Sequence, residues 1–143
     1  MLRNIPEIFS PDLMKTIMEM GHGDEICFGD VNFPSETMGQ RVVRADGHTV
    51  PELLEAVLEF MPLDTFVEKP VVLMEAPPDT QPRVWETFEK VIRKHDFAGA
   101  HTEFEKMERF AFYERARRCF AVVATSEHEG YSNIILTKGV IFK

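Results

Sequence analysis

The residues most capable of chemistry form a dense polar segment, Gly-His-Gly-Asp-Glu at positions 21–25, followed five residues later by Asp30. Glycines on both sides of His22 permit tight backbone turns, and an imidazole can donate a proton near neutral pH. If residues 26–30 form a strand, Asp30 lies at its carboxyl end, where open α/β sheets place ligand-binding groups. We therefore predict that an acid, His22, and a carboxylate, Asp30, share one rim. The spacing also fits an exposed loop histidine and a turn-forming aspartate.

A second polar group is Tyr131-Ser132-Asn133, which follows Gly130 and precedes an apolar run. Its two hydroxyls and one amide can donate and accept hydrogen bonds, and such groups recognise the hydroxyls of sugars well. The same residues also fit an ordinary turn before a strand.

Residues 108–118 mix arginines with aromatic side chains, a combination that can bind nucleic acid. The interspersed glutamates weaken that interpretation. A helix with Arg115 and Arg118 on a solvated face and with Phe112 and Ala116 in the core explains the pattern better.

Two kinds of cofactor site are not supported by the motifs. Gly21 and Gly23 follow a predicted helix instead of a strand, and the third glycine position of a dinucleotide-binding loop is occupied by Ile26. The histidines and acids of the N-terminal third match no common metal-binding spacing. We expect neither a nucleotide cofactor nor a metal.

The elements that position these residues follow from hydrophobic periodicity and capping residues. Ser10, Pro11 and Asp12 are typical of a helix start, and Gly21 is placed to end that helix in a left-handed conformation. Helices are predicted over residues 10–20, 49–62, 84–95 and 112–118, and buried strands over 26–28, 42–43, 70–76, 120–124 and 134–136. This order predicts an α/β fold, a single layered domain over residues 1–143 with a central sheet flanked by helices.

Composition restricts the classes of partner. The chain of 143 residues carries 16 Lys and Arg against 24 Asp and Glu, a net charge of −8, which argues against binding to nucleic acid or to an anionic membrane. Cys27 and Cys119 lie in apolar surroundings and are expected to be reduced core residues. The N-terminus lacks the apolar stretch of a signal peptide and no run is long enough to cross a bilayer, so we expect a cytoplasmic location.

Several blocks together resemble the fucose mutarotase and ribose pyranase family. They extend over almost the whole chain and keep the family's order. The blocks are Ser-Pro-Asp-Leu at 10–13, Met-Gly-His-Gly-Asp-Glu-Ile at 20–26, Asp30, Asn-Phe-Pro at 32–34, Arg-Ala-Asp-Gly at 44–47, Leu-Asp-Thr at 63–65, Arg-Phe-Ala-Phe-Tyr-Glu-Arg-Ala at 109–116, Phe-Ala-Val-Val-Ala-Thr at 120–125 and Lys-Gly-Val at 138–140. Arg109 resembles the fucose branch, because the ribose branch has histidine at that position.

The resemblance implies a ribose pyranase-like fold and interconversion of the α and β anomers of a free sugar, with L-fucose the best candidate and without a cofactor. It assigns His22 as the proton donor. The residues that it places against the sugar are Asp30, Arg109, Tyr131 and Asn133, with Tyr113 as a wall or proton relay. Ser132, included as a substrate-binding candidate, stands where the family usually has glycine, which puts the local backbone and the placement of the sugar in question.

Family members form homo-oligomers, decameric rings among them, in which the catalytic histidine completes a site on a neighbouring subunit. The resemblance therefore implies self-association, with the interface supplying the missing wall of the site. Two alternatives remain open from the sequence: a D-ribose pyranase, and a non-catalytic monosaccharide-binding protein that keeps the pocket without the activity.

Overall fold

The structure is a computed structural model that describes residues 1–143, and it contains five helices and six strands. In chain order these are α1 (Pro11–Glu19), β1 (Glu25–Gly29), α2 (Ser35–Met38), β2 (Val42–Ala45), α3 (Val50–Leu58), β3 (Val71–Met74), α4 (Val84–His95), β4 (Glu105–Met107), α5 (Arg109–Arg118), β5 (Ala121–Thr125) and β6 (Ile134–Thr137).

All six strands join one sheet in the order β2-β5-β1-β6-β3-β4. β1 is parallel to β5, β5 to β2, and β3 to β4, whereas β6 is antiparallel to both β1 and β3. Five strands therefore point the same way and end at one edge, which we call the carboxyl edge; it contains Gly29, Ala45, Met74, Met107 and Thr125. β6 begins at that edge and ends at the opposite one, the amino edge, where Glu25 pairs with Thr137.

Helices cover both faces of the sheet, which confirms the predicted α/β architecture. Along β1, Ile26 and Phe28 belong to a large apolar cluster with α1, α3 and α4, whereas Cys27 belongs to a smaller cluster with α5. This alternation follows from the two-residue period of a strand. β5 and β6 are buried along their whole length, as predicted for interior strands.

The smaller apolar cluster contains both cysteines, which are free and buried. Burial raises the pKa of Cys119 to about 12, and it raises that of Cys27 well above its usual range. Both thiols therefore stay protonated at neutral pH, in accordance with a role in the core. No helix in the structure has the length and apolar character needed to span a membrane.

Helix starts follow the predicted capping chemistry. The Ser10 side chain accepts a hydrogen bond from the Leu13 N–H, and Thr49 forms a capping box with Glu52 at the start of α3. The helix α5 begins three residues before the predicted Phe112, because the Glu108 side chain caps it by accepting the Ala111 N–H.

The predicted end of α1 is wrong in one respect. Met20 caps the helix in an extended conformation, and it is Gly23, not Gly21, that has a positive φ, of 85°. The Gly21 N–H donates to the Asp24 carboxylate at 2.8 Å, so a side chain holds that amide and the left-handed residue falls within the turn that precedes β1.

The prediction for Arg115 is also wrong. Its guanidinium does not lie on a solvated face but donates to both carboxylate oxygens of Glu25, at 2.9 and 3.1 Å. The pairing requires α5 to pack beside the start of β1, which helical periodicity alone does not specify. Phe112 and Ala116 are fully buried, as predicted.

A close approach at the amino edge joins the segment after α3 to the end of β6. Leu63 and Lys138 form an antiparallel bridge, and the Gly139 N–H donates to the Pro62 carbonyl oxygen at 2.8 Å. A Cβ at Gly139 would lie 2.5 Å from the Leu63 carbonyl oxygen. Only glycine therefore allows these two backbones to meet.

We expect Gly139→Ala to lower the free energy of unfolding by about 1–3 kcal/mol, because the contact is with backbone that cannot rotate away. Urea denaturation measures the change. Gly130→Ala is the matched control, since a Cβ there meets nothing within 4 Å. Equal stability of the two variants would contradict the packing argument.

Candidate active site

Asp30 follows β1 at the carboxyl edge, where its carboxylate is nearly buried, with 8% of the residue exposed. The Asn32 N–H donates to its Oδ1 at 3.0 Å, and the nearby backbone amides of Phe33 and Ser132 also favour the ionised carboxylate and lower its pKa. Burial nevertheless outweighs these amides and raises the pKa of Asp30. A carboxylate so poorly hydrated gains from any further hydroxyl that donates to it.

The loop before β6 brings the second predicted group to the same edge. The Asp30 N–H donates to Asn133 Oδ1 at 2.8 Å, across 103 positions of sequence, and the Asn133 amide nitrogen faces Met74 Sδ at 3.8 Å. Tyr131 is half-buried. The structure therefore unites Asp30 with the 131–133 segment, as β6 runs antiparallel to β1 and begins where β1 ends.

Ser132 occupies the position where the family usually has glycine, yet its φ is not positive. The residue is fully buried, and its hydroxyl donates to the Glu129 carbonyl oxygen at 2.6 Å. Serine is therefore accommodated without backbone strain. In this structure its side chain supports the loop from within and does not face the open edge.

Arg109 begins α5, which follows β4 at the carboxyl edge, and Tyr113 lies one turn further along this helix. The Arg109 Nε–H donates to the Tyr113 hydroxyl at 3.0 Å, and the guanidinium carbon lies 5.3 Å from the centre of the tyrosine ring. Arg109 is exposed and Tyr113 half-buried. The Tyr113 ring also lies 5.6 Å from the ring of Phe33, in the segment that follows Asp30, so a cation and a phenolic hydroxyl stand near that segment.

His22 does not share this edge, and the prediction that it shares one rim with Asp30 is wrong. His22 precedes β1 and Asp30 follows it, and the five residues of this strand extend for about 17 Å at about 3.3 Å each. The imidazole therefore lies at the amino edge of its own chain. The direction of β1 separates His22 from Asp30, and their closeness in the sequence does not reveal that direction.

At the amino edge the His22 imidazole has a defined environment. Its Nε2 lies 3.0 Å from Asp64 Oδ1, with 45% of the histidine side chain exposed and only 3% of the aspartate. The Phe66 N–H donates to the same carboxylate oxygen, and the Phe66 ring lies 5.0 Å from the imidazole. Asp64 accordingly orients the ring, and Nδ1 is left to exchange a proton with another molecule.

Sequence reasoning did not assign a role to Asp64, although it belongs to one of the family-like blocks. Its partner His22 is 42 positions away, so no local spacing reveals the pair. The bridge between Leu63 and Lys138 brings Asp64 to the amino edge.

The larger cavities of the chain do not include these residues. Cavities of about 540 and 600 Å³ lie elsewhere, the first between α1 and β2 and the second among apolar residues of the N-terminal segment. No group of three or more His, Cys, Asp or Glu side chains is arranged to hold a metal ion. The polar residues instead form two separate halves: hydrogen-bonding side chains at the carboxyl edge, and the His22–Asp64 pair at the amino edge.

The fold and these two halves define a member of a known family. The sequence model of the RbsD / FucU transport protein family matches residues 3–141, and the chain belongs to this family, which confirms the resemblance seen in the sequence.

Individual relatives show how similar the chain is to particular proteins. The fucose mutarotase of Homo sapiens is 46% identical over 148 aligned positions, which cover 98% of this chain and 94% of the relative. The crystal structure of the fucose mutarotase from Streptococcus pneumoniae in complex with L-fucose is 42% identical, with a TM-score of 0.91 over 99% of this chain and 100% of that one. Bacillus subtilis RbsD complexed with D-ribose has a TM-score of 0.74 over 94% and 95% of the two chains but only 20% identity, so it shows the common fold.

The pair at the amino edge generates a prediction that is independent of activity. Asp64→Ala removes the oxygen that lies 3.0 Å from His22 Nε2, so we expect the ring to lose its single orientation. NMR three-bond couplings about the His22 Cα–Cβ bond measure the resulting averaging over rotamers. Glu68→Ala is the matched control on the exposed part of the same segment; a single, unchanged rotamer in Asp64→Ala would show that the carboxylate does not orient the ring.

Proposed function

We propose that the chain is an isomerase, an L-fucose mutarotase, which interconverts the α and β anomers of free L-fucose. The observation that carries this proposal is the likeness over nearly the whole chain to a fucose mutarotase solved with L-fucose bound, together with curated relatives of the same name at 46% identity. The two halves of the site supply the groups that this reaction requires.

The reaction consists of proton transfers and one bond that opens and closes. A proton is delivered to the ring oxygen and another leaves the anomeric hydroxyl, the bond between the anomeric carbon and the ring oxygen breaks, and the open-chain aldehyde forms. Rotation and reclosure on the other face then reverse these transfers. Since nothing is oxidised or reduced and no group is transferred, we propose that no cofactor is needed.

The structure supports a division of roles. We assign His22 as the proton donor, because its imidazole is partly exposed and is oriented by Asp64. Asp30, Arg109 and Tyr131 are proposed to hold the sugar hydroxyls, with Tyr113 as a wall or proton relay. Asn133 and Ser132 are proposed to act mainly from behind, since their side chains bond Asp30 and Glu129 within the protein.

We further propose that the chain works as a homo-oligomer whose sites are shared between subunits. His22 lies at the amino edge and the sugar-binding groups at the carboxyl edge, so His22 of one subunit must approach the carboxyl edge of another for acid and sugar to meet. A cyclic arrangement that repeats this contact forms a closed ring, and the family's decameric rings are the expected form. Each subunit is proposed to be one mutarotase-like domain over residues 1–143, and a cytoplasmic location agrees with two free, buried cysteines.

D-Ribose and binding without catalysis are the alternative hypotheses. Arg109 favours the fucose branch, and the relative with bound D-ribose is only 20% identical. Ser132, the departure that the non-catalytic alternative uses, does not itself have a positive φ. Both considerations favour a catalytic fucose-specific protein.

Saturation-transfer NMR on equilibrated α and β L-fucose tests the activity. We expect the wild-type chain to accelerate exchange between the anomeric signals, and more for L-fucose than for D-ribose. His22→Ala should lower the exchange rate by about 10²- to 10⁴-fold, the usual contribution of general acid–base catalysis, while a calorimetric titration still detects L-fucose binding. Saturable binding without any acceleration by the wild type would establish the non-catalytic alternative.

Mixed oligomers test whether sites are shared. His22→Ala and Asp30→Ala should each be inactive alone, since each lacks one half of every site. Coexpressed, they should recover about a quarter of wild-type activity by random assembly, because one neighbour can supply His22 and the other Asp30. His22→Ala coexpressed with the double variant His22→Ala/Asp30→Ala is the control that cannot recover. Failure of the first mixture to recover, with mixed assembly verified by mass spectrometry, would rule out a shared site.

A further inference from the structure

The loop of residues 126–133, between β5 and β6, holds a tyrosine in an uncommon backbone conformation. Tyr131 has a φ of 59°, one of two non-glycine residues in the chain with a positive value. L-residues with a side chain rarely adopt this region without external support. The conformation directs the chain into β6 and determines how the Tyr131 side chain stands at the carboxyl edge.

Glutamates tie this loop to the starts of two helices. Glu127 Oε2 accepts the Val50 N–H at the start of α3, at 3.3 Å, and Glu127 Oε1 accepts the Glu129 N–H at 3.0 Å. Glu129 Oε1 in turn accepts the Val84 N–H at the start of α4, at 3.1 Å. Carboxylates are favourable at these positions because the first amides of a helix lack partners within it.

Trp85, the single tryptophan of the chain, supports the tyrosine directly. Its indole N–H donates to the Tyr131 carbonyl oxygen at 2.9 Å. Its ring packs against the large apolar cluster and also lies beside the Lys106 ammonium, 4.9 Å from the ring centre, in the strand that leads into Arg109. The indole is therefore placed between the two segments that carry Tyr131 and Arg109.

We infer that Trp85, in the first turn of α4, and Glu129, in the loop, are positioning residues that hold Tyr131 in its left-handed conformation for sugar binding. The inference rests on the proposed function, since it gives Tyr131 a sugar to bind. Neither residue is proposed to touch the sugar. Trp85 holds the carbonyl of Tyr131, and Glu129 holds the loop two residues before it. The phenol is therefore already in its binding position, and less conformational entropy is lost when the sugar binds.

Two variants test the inference. Trp85→Phe keeps an aromatic ring and removes only the N–H, and Glu129→Ala removes the acceptor of the Val84 N–H. Each should raise KM for L-fucose about tenfold, the effect of one hydrogen bond of about 1.4 kcal/mol, and change kcat less than about twofold, because the acid–base pair is untouched. Trp85→Phe should unfold at a temperature close to that of the wild type, whereas Glu129→Ala should be less stable because the Val84 N–H loses its partner.

Matched variants separate positioning from stability. Glu129→Gln keeps an acceptor oxygen for the Val84 N–H and should recover most of the affinity that Glu129→Ala loses. Glu86→Gln alters an exposed residue of the same helix turn and should leave KM unchanged. Wild-type KM in both Trp85→Phe and Glu129→Ala would overturn the inference, and so would a lower melting temperature with unchanged KM per folded molecule.

These experiments can contradict the inference and the proposed function separately. A wild-type chain that fails to accelerate exchange but binds L-fucose contradicts the function, and the calorimetric Kd of the variants then judges the inference in place of KM. A wild-type chain that neither binds nor accelerates overturns both. An active wild type with variants of unchanged KM overturns only the inference.

Discussion

The direction and central place of β1 are the constraint on which the rest of the site depends. This strand is hydrogen-bonded on one side to β5 and on the other to β6, and its interior residues Ile26, Cys27 and Phe28 are fully buried. It can neither shift its register nor bend without exposing apolar surface and leaving backbone groups unpaired. His22 and Asp30, at its two ends, are consequently kept apart by about the length of the strand, about 17 Å. The proposed reaction requires both groups, which is why a site shared between two copies of the chain is proposed.

The antiparallel direction of β6 brings a second group of residues to each edge of the sheet. Because it starts at the carboxyl edge, the loop before it brings Tyr131 and Asn133 to Asp30; because it ends at the amino edge, the residues after it pair with the segment that carries Asp64. A parallel sixth strand would place these groups at the wrong ends. The direction of β6 thus places Tyr131 and Asn133 at the carboxyl edge and Asp64 at the amino edge.

The buried carboxylates at the two edges of the sheet make different contacts. Asp64 is almost wholly buried and bonds the Phe66 amide and the His22 ring, so it contributes orientation. Asp30 accepts the Asn32 N–H, yet burial raises its pKa, so a further hydroxyl donor would stabilise its ionised form. Close backbone contacts support each edge. Gly139 packs against Leu63 at the amino edge, and the side chains of Glu127 and Glu129 accept the first amides of α3 and α4 at the carboxyl edge.

Local sequence patterns determined much of this protein. The caps at Ser10 and Thr49 and the apolar runs of β5 and β6 specify their elements through contacts between near neighbours, and the family-like blocks led to His22 and Asp30. Tertiary structure alone decided which residues meet. The partner of His22 is 42 positions away, the contact between Asp30 and Asn133 spans 103, and the left-handed Tyr131 is supported from another helix by Trp85. Such pairs depend on strand order and direction, which are settled by burial over the whole chain, so the sequence pattern identified the chemical groups while the sheet decided that they form two half-sites.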